Sequence, residues 1–156
     1  IALLANIRLA PRGIELVTDI DAACPFVSGD SVRVEQVLLN LINNAHDAIV
    51  HSGTRAYATA GDNGDELETG SRITLRARPT EDGASVLLSV EDTGGGISPV
   101  AFPHIFTPFF TTKEPGKGTG LGLSISKGLI EEMGGRIQAE NTAHGACFTV
   151  ILPAVF

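Results

Sequence analysis

The rhythm of hydrophobic and polar positions changes several times along this chain of 156 residues. After a connector over residues 1–13, positions 14–20 read as a strand. Positions 21–29 form a loop around Pro25. Asp30 or Ser31 can then cap a helix running to about Val50. On a wheel of roughly 100° per residue, Val34, Val37, Leu38, Leu41, Ile42, Ala45, Ala48 and Ile49 share one broad face. Gln36, Asn40, Asn43, Asn44 and Asp47 fall opposite. Positions 52–71 are polar and turn-rich without periodicity, which predicts a long variable surface loop.

Alternation resumes at Arg72 to Arg78, with Ile73, Leu75 and Ala77 on one face. A hairpin turn at Glu81-Asp82-Gly83-Ala84 leads to a strand from Ser85 to Glu91. Residues 94–120 are rich in Gly, Pro and Thr, with a short helix after Pro99. A helix from Leu121 to Met133 stops at Gly134-Gly135. Arg136 to Glu140 and Ala146 to Leu152 close the chain as a hairpin around residues 141–145. Helices mixed with mostly antiparallel strands predict one α/β domain over 1–156. Its form is a two-layer α/β sandwich, with helices on one face of a mixed sheet.

Composition narrows the function. The net charge is −7, so no basic stripe is available to neutralise nucleic-acid phosphates. ATP is still allowed, because a metal, a few amides and one or two lysines can meet its charge locally. No apolar run reaches the ~20 residues of a membrane helix. No secretory signal is visible, and Ile1 suggests a fragment. Cys24 and Cys147 lack metal-ligand spacing and read as reduced thiols in a cytosolic setting, with a disulfide the lesser alternative.

Three segments carry chemistry. The first is Gln36-Val-Leu-Leu-Asn40-Leu-Ile-Asn43-Asn44-Ala45. Asn is a poor interior helix former, so three Asn in five residues cost helix stability and imply another use. Amide oxygens can ligate Mg²⁺ without adding charge, and amide nitrogens can donate to phosphate oxygens. The second is Asp92-Thr93-Gly94-Gly95-Gly96. Alone it is an ordinary turn, with Asp starting it and Gly taking positive φ. The third is Gly116-Lys117-Gly118-Thr119-Gly120-Leu121-Gly122, which runs into a helix N-terminus, a favourable place for anions. It is not a P-loop, since Lys117 is followed by Gly118. It is not the dinucleotide fingerprint either, since the spacing is G-x-G-x-G after a loop.

In this order the segments resemble the N, G1 and G2 boxes of the catalytic, ATP-binding domain of bacterial sensor histidine kinases (the GHKL ATPases, with the Bergerat fold). Phe106-Thr-Pro-Phe109-Phe110-Thr111-Thr112-Lys113 is similar to the family's F box. The resemblance covers roughly residues 6–153. It implies that Asn40 ligates Mg²⁺ and that Asn44 contacts phosphate or ribose. Gln36 stands where relatives carry a Glu or Gln that orders the reacting group, so the resemblance makes Gln36 and Asn40 catalytic. Asp92 would accept the exocyclic amine of adenine, which selects ATP over GTP. Gly94, Gly96 and Ile97 would lie against the base. Lys113, Gly118, Thr119, Gly120, Leu121 and Gly122 would close over the phosphates as part of a lid over 99–120.

One departure stands out. Many relatives carry Lys and then an aromatic after the second Asn, where this chain has Asp47 and Ala48. Asp47 is therefore assigned to the ATP site as in the subgroup with an acidic residue there, without aromatic stacking. The phenylalanines are hydrophobic anchors on a bland reading of the lid. None of His46, His51, His104 and His144 sits in the acceptor pattern of His, acidic residue, then Arg-x-Pro.

The implied reaction is transfer of the γ-phosphoryl group of Mg·ATP to a histidine on a separate dimerisation domain of the same protein. The implied setting is a cytoplasmic domain of a homodimer that signals to a response regulator, without nucleic-acid or membrane contact. Rivals are a hydrolysing ATPase of the superfamily, a serine-phosphorylating anti-sigma factor, and a nucleotide-binding pseudokinase. Gln36 speaks against the first, with Glu35 expected on a different face. The intact motifs speak against the last.

Overall fold

A computed structural model describes residues 13–53 and 70–155. Residues 1–12 of the expected connector and most of the expected loop, residues 54–69, lie outside the described residues. Strand β1 is Glu15–Ile20 and β2 is Phe26–Val27. Helix α1 is Ser31–Ser52. Strands β3, Arg72–Pro79, and β4, Ser85–Asp92, follow. Next come a 3-10 turn, Phe102–His104, and helix α2, Gly122–Glu132. Strands β5, Arg136–Asn141, and β6, Ala146–Val155, close the chain.

The sheet order is β1-β3-β4-β6, and β6 also pairs with β2 and β5. Only β1 against β3 is parallel among the described pairs; the others are antiparallel. The predicted mixed, mostly antiparallel sheet is therefore present. Ile73, Leu75, Val90, Phe148, Val150 and Leu152 point to one face and bury against Leu38, Leu41, Ile42, Ala45, Ile49 and Ile130. That packing makes the two-layer sandwich. The outer face carries ion pairs instead, including Arg72 with Glu15, Arg78 with Asp19 and Arg76 with Glu91.

Local chemistry sets the boundaries. Asp30 caps α1, its Oδ1 accepting the N–H of Val32 at 2.8 Å. Gly53 ends the helix at φ 64°, a left-handed value that favours glycine. The helix thus runs two residues past the expected Val50. β6 runs three residues past the expected Leu152. Phe26 and Val27, expected in a loop, pair with Val155 and Ala154 and hold that extension in the sheet. Both cysteines are free thiols, Cys147 buried and Cys24 half-buried.

Candidate functional site

Burying the apolar face of α1 fixes where its amides go. With Val37, Leu38, Leu41, Ile42, Ala45 and Ile49 in the core, Asn40, Asn43, Asn44 and Asp47 turn away from it. β4 ends beside this stripe at Asp92. The segment 99–120 lies opposite, and the start of α2 completes the enclosure. Together they wall a cavity of about 740 Å³.

Asn40, Asn44, Asp47, Asp92, Gly94, Gly96, Ile97, Lys113, Gly118, Thr119, Gly120 and Gly122 all line this cavity. Two predicted residues do not. Leu121 is the residue that precedes α2, outside the lining. Gln36 is exposed and lines a second cavity, of about 480 Å³, between α1 and α2. Asn40, Asn43 and Gly122 line both cavities, so the second opens directly beside the first. Glu35 also lines the second cavity, contrary to the expected separation from Gln36. The groove between the helices is open, so two successive helical positions reach it.

Asp92 is almost fully buried, at 3% exposure. Its Oδ1 accepts the N–H of Gly94 at 2.8 Å and of Ala146 at 3.3 Å. Among the described residues no hydrogen bond reaches Oδ2, yet no buried side-chain oxygen is left without a partner. Oδ2 is therefore open to the cavity. Burial pushes the Asp92 carboxyl above its ordinary value, opposed by the two N–H bonds and reinforced by Glu91.

The turn after Asp92 uses its glycines in two ways. Gly95 and Gly96 take φ of 86° and 83°. Gly94 is needed for close approach, because a Cβ there would lie 2.7 Å from the backbone carbon of Ala48. The sequence reading placed Ala48 on the apolar face; here it borders the cavity and packs under the turn. Asn141 pins the far end, its Oδ1 accepting from Ile97 N–H and its Nδ2 donating to Ile97 O, both at 2.8 Å. No sequence signal marked Asn141 for this role, since its partner is 44 positions away.

The segment 99–120 closes on itself. Phe109 N–H donates to Gly120 O at 2.8 Å, with Phe109 at φ 66°. Phe106 anchors it, meeting Phe148 edge-on at 6.4 Å between ring centres. Phe109 is 75% exposed and is no anchor. The sharp turn at the neck throws its ring outward. Lys113 reaches across the cavity to α1, its Nζ 2.5 Å from Asp47 Oδ2. Burial raises the Asp47 carboxyl, but hydrogen bonds from Lys113 and His46 outweigh it and hold the group below its ordinary value.

The donor set suits Mg²⁺. It offers neutral amide oxygens and an open cavity for phosphates and water, the arrangement this hard cation accepts. Asn40 Nδ2 donates to Ser126 Oγ at 3.0 Å. That bond turns Oδ1 toward Gly122, where a Cβ would lie 2.5 Å from it. The space kept by this glycine leaves the oxygen available. No cluster of three acidic, His or Cys ligands occurs among the described residues, so any metal here would rely on amides and substrate.

A buried carboxylate, an amide stripe, and a glycine-rich segment before a helix N-terminus share this cavity, an arrangement that suits a nucleotide-binding ATPase module. Residues 29–155 match the family described as histidine kinase-, DNA gyrase B-, and HSP90-like ATPase. The Two-component sensor PprA of Pseudomonas aeruginosa is 41% identical over 140 residues, covering 86% of this chain and 14% of that protein. Sensor kinase CckA of Brucella abortus is 38% identical over 147 residues, covering 94% of this chain and 15% of that protein. The solved catalytic domain of histidine kinase ThkA, nucleotide-free, superposes with a TM-score of 0.75 at 31% identity, covering 97% of this chain and 88% of that one. The chain belongs to the histidine kinase-, DNA gyrase B-, and HSP90-like ATPase family, as a domain of the histidine-kinase type. It spans about a seventh of the length of those two curated relatives.

Proposed function

We propose that this domain binds Mg·ATP in the larger cavity and transfers its γ-phosphoryl group to a histidine on a separate dimerisation domain of its parent protein. The observation that carries this reading is the convergence of Asn40, Asn44, Asp92, Gly94, Lys113 and Gly118 on one cavity. Asp92 Oδ2 accepts from the exocyclic amine of adenine, with Gly94, Gly96 and Ile97 against the base. Asn44 contacts phosphate or ribose. Lys113 and the amides of Gly118, Thr119, Gly120 and Gly122 face the phosphates.

Asn40 would hold Mg²⁺ together with substrate phosphates, and the bound ion would supply charge neutralisation there. The chain's own part is to orient ATP and to limit water access, with little covalent chemistry. The second cavity supports a route for the acceptor. It opens beside Asn40 and exposes Val32 and Ile125, at 70% and 48%. Gln36 lines it, which suits a residue that orders the reacting group instead of one that holds the nucleotide.

A parent homodimer, a cytoplasmic location and a downstream response regulator go with this reading. Single-domain organisation over 1–156 goes with it too, since both described helices and all described strands share one core. The test is phosphotransfer. The full-length parent, incubated with γ-labelled ATP, gains acid-labile phosphate on its dimerisation domain, and Asn40→Ala abolishes it. Labelling that survives Asn40→Ala in full would remove Asn40 from the metal site.

A further inference from the structure

The lid lysine and the helix carboxylate assigned to nucleotide are each other's partner. Lys113 Nζ lies 2.5 Å from Asp47 Oδ2, and His46 Nδ1 lies 3.1 Å from Asp47 Oδ1. Both members of the ion pair line the large cavity. The arrangement is odd on electrostatic grounds, because a carboxylate in the wall of a site for a polyanion repels its ligand. Stability does not explain it. The side chains are 28% and 37% exposed, and partly solvated pairs contribute little to stability.

The charge inventory points elsewhere. Among the described residues lining the cavity, Lys113 and Lys117 are the only Lys or Arg. Lys117 is 66% exposed and pairs with Glu114 at 2.6 Å, within the lid itself. Lys113 is thus the cation turned inward. It sits on a loop, four flexible carbons from its backbone, so its charge lacks a fixed address without a second contact. Asp47 supplies that contact from α1, a rigid element buried along its other face. An ammonium has three donors, so one can stay on Asp47 while another meets a phosphate oxygen. Gly118 keeps the local path clear, since a Cβ there would lie 2.7 Å from Thr111 Oγ1 and 3.0 Å from Lys113 Cδ.

We propose that Asp47 is a positioning residue: it seats the Lys113 ammonium on α1, so that the lid presents its charge to the nucleotide phosphates at a fixed point. This role rests on the reading of the large cavity as an ATP site. Asp47 itself then makes no required contact with ATP, and its cost in repulsion is offset by the ordered lysine.

A double-mutant cycle tests it, with affinity read by calorimetry for ATP and for adenosine. Binding of ATP by the unaltered chain checks the underlying reading separately. Lys113→Met lowers ATP affinity by about tenfold, the scale of one charge-assisted hydrogen bond. Asp47→Asn lowers it by about threefold, although it removes a repulsive charge, and Asp47→Glu restores most of the loss. Adenosine affinity stays unchanged in each variant. In the Lys113→Met background, Asp47→Asn causes no further loss. Tighter ATP binding by Asp47→Asn would overturn the proposal and make the pair a latch that competes with nucleotide. An equal loss with and without Lys113 would also overturn it and make Asp47 a direct nucleotide contact. Failure of the unaltered chain to bind ATP would remove the site, and the proposal with it.

Discussion

On the proposed function, Asp92 sets folding against binding. Its carboxyl is buried and pushed above its ordinary value, so the ionised form costs folding stability at neutral pH. The sign follows from linkage: its contribution is most favourable below the unfolded pKa and is lost as pH rises through the raised folded pKa. Asp92→Asn keeps an Oδ1 acceptor for the Gly94 and Ala146 N–H groups and removes the charge. The melting temperature is expected to hold or rise, while ATP affinity falls by about tenfold or more. Thermal melts and calorimetry on one preparation check both. Acid acts in the same direction on binding: ATP affinity falls as pH drops through the raised pKa, because a protonated carboxyl no longer accepts freely at Oδ2. A flat affinity profile through that range would separate Asp92 from the base. Gly94→Ala behaves differently. Its Cβ would press on the α1 backbone at Ala48, so a loss of about 1–3 kcal/mol in stability accompanies the loss of ATP binding. Chemical denaturation measures the first and calorimetry the second.

At the scale of elements, α1 was legible because one periodicity carries two messages. The apolar positions 37, 38, 41, 42, 45 and 49 gave the core face, and the same 100° step assigned the amides to the other side. The alternation in β3 likewise gave the core-facing Ile73 and Leu75. β2 was not legible, since two residues carry no period and Phe26 is exposed. Contacts that depend on chain reversal were hidden as well. The clasp of Asn141 on Ile97 and the reach of Lys113 to Asp47 join residues 44 and 66 positions apart. Gln36 and Glu35 were separated on the wheel but share the open groove between the helices.

The segment 99–120 is closed at its neck by Phe109 and Gly120 and tethered at Lys113. Those are few bonds for a segment without regular structure beyond one 3-10 turn. Ordering costs ~1–2 kcal/mol per backbone residue, so added phosphate contacts should slow its opening. Limited proteolysis at Lys113 and Lys117 is expected to slow with a non-hydrolysable ATP analogue. Equal cleavage rates with and without it would mean that the segment is no lid.

At the scale of the whole molecule, the described helices and sheet form one layered core, and the candidate site lies along the solvent side of α1. The domain supplies a nucleotide grip; none of its four histidines stands in an acceptor pattern. The isolated chain should therefore bind ATP without gaining acid-labile phosphate, and labelled phosphate on any of its histidines would break that division of labour. Nucleotide selectivity tests the central claim most directly. In parallel calorimetric titrations, ATP is expected to bind at least about a hundredfold tighter than GTP, since an unpaired buried polar group discriminates on that scale or above. Asp92→Asn should erase most of the difference. Equal affinities for ATP and GTP in the unaltered chain, or a preference untouched by Asp92→Asn, would contradict the account.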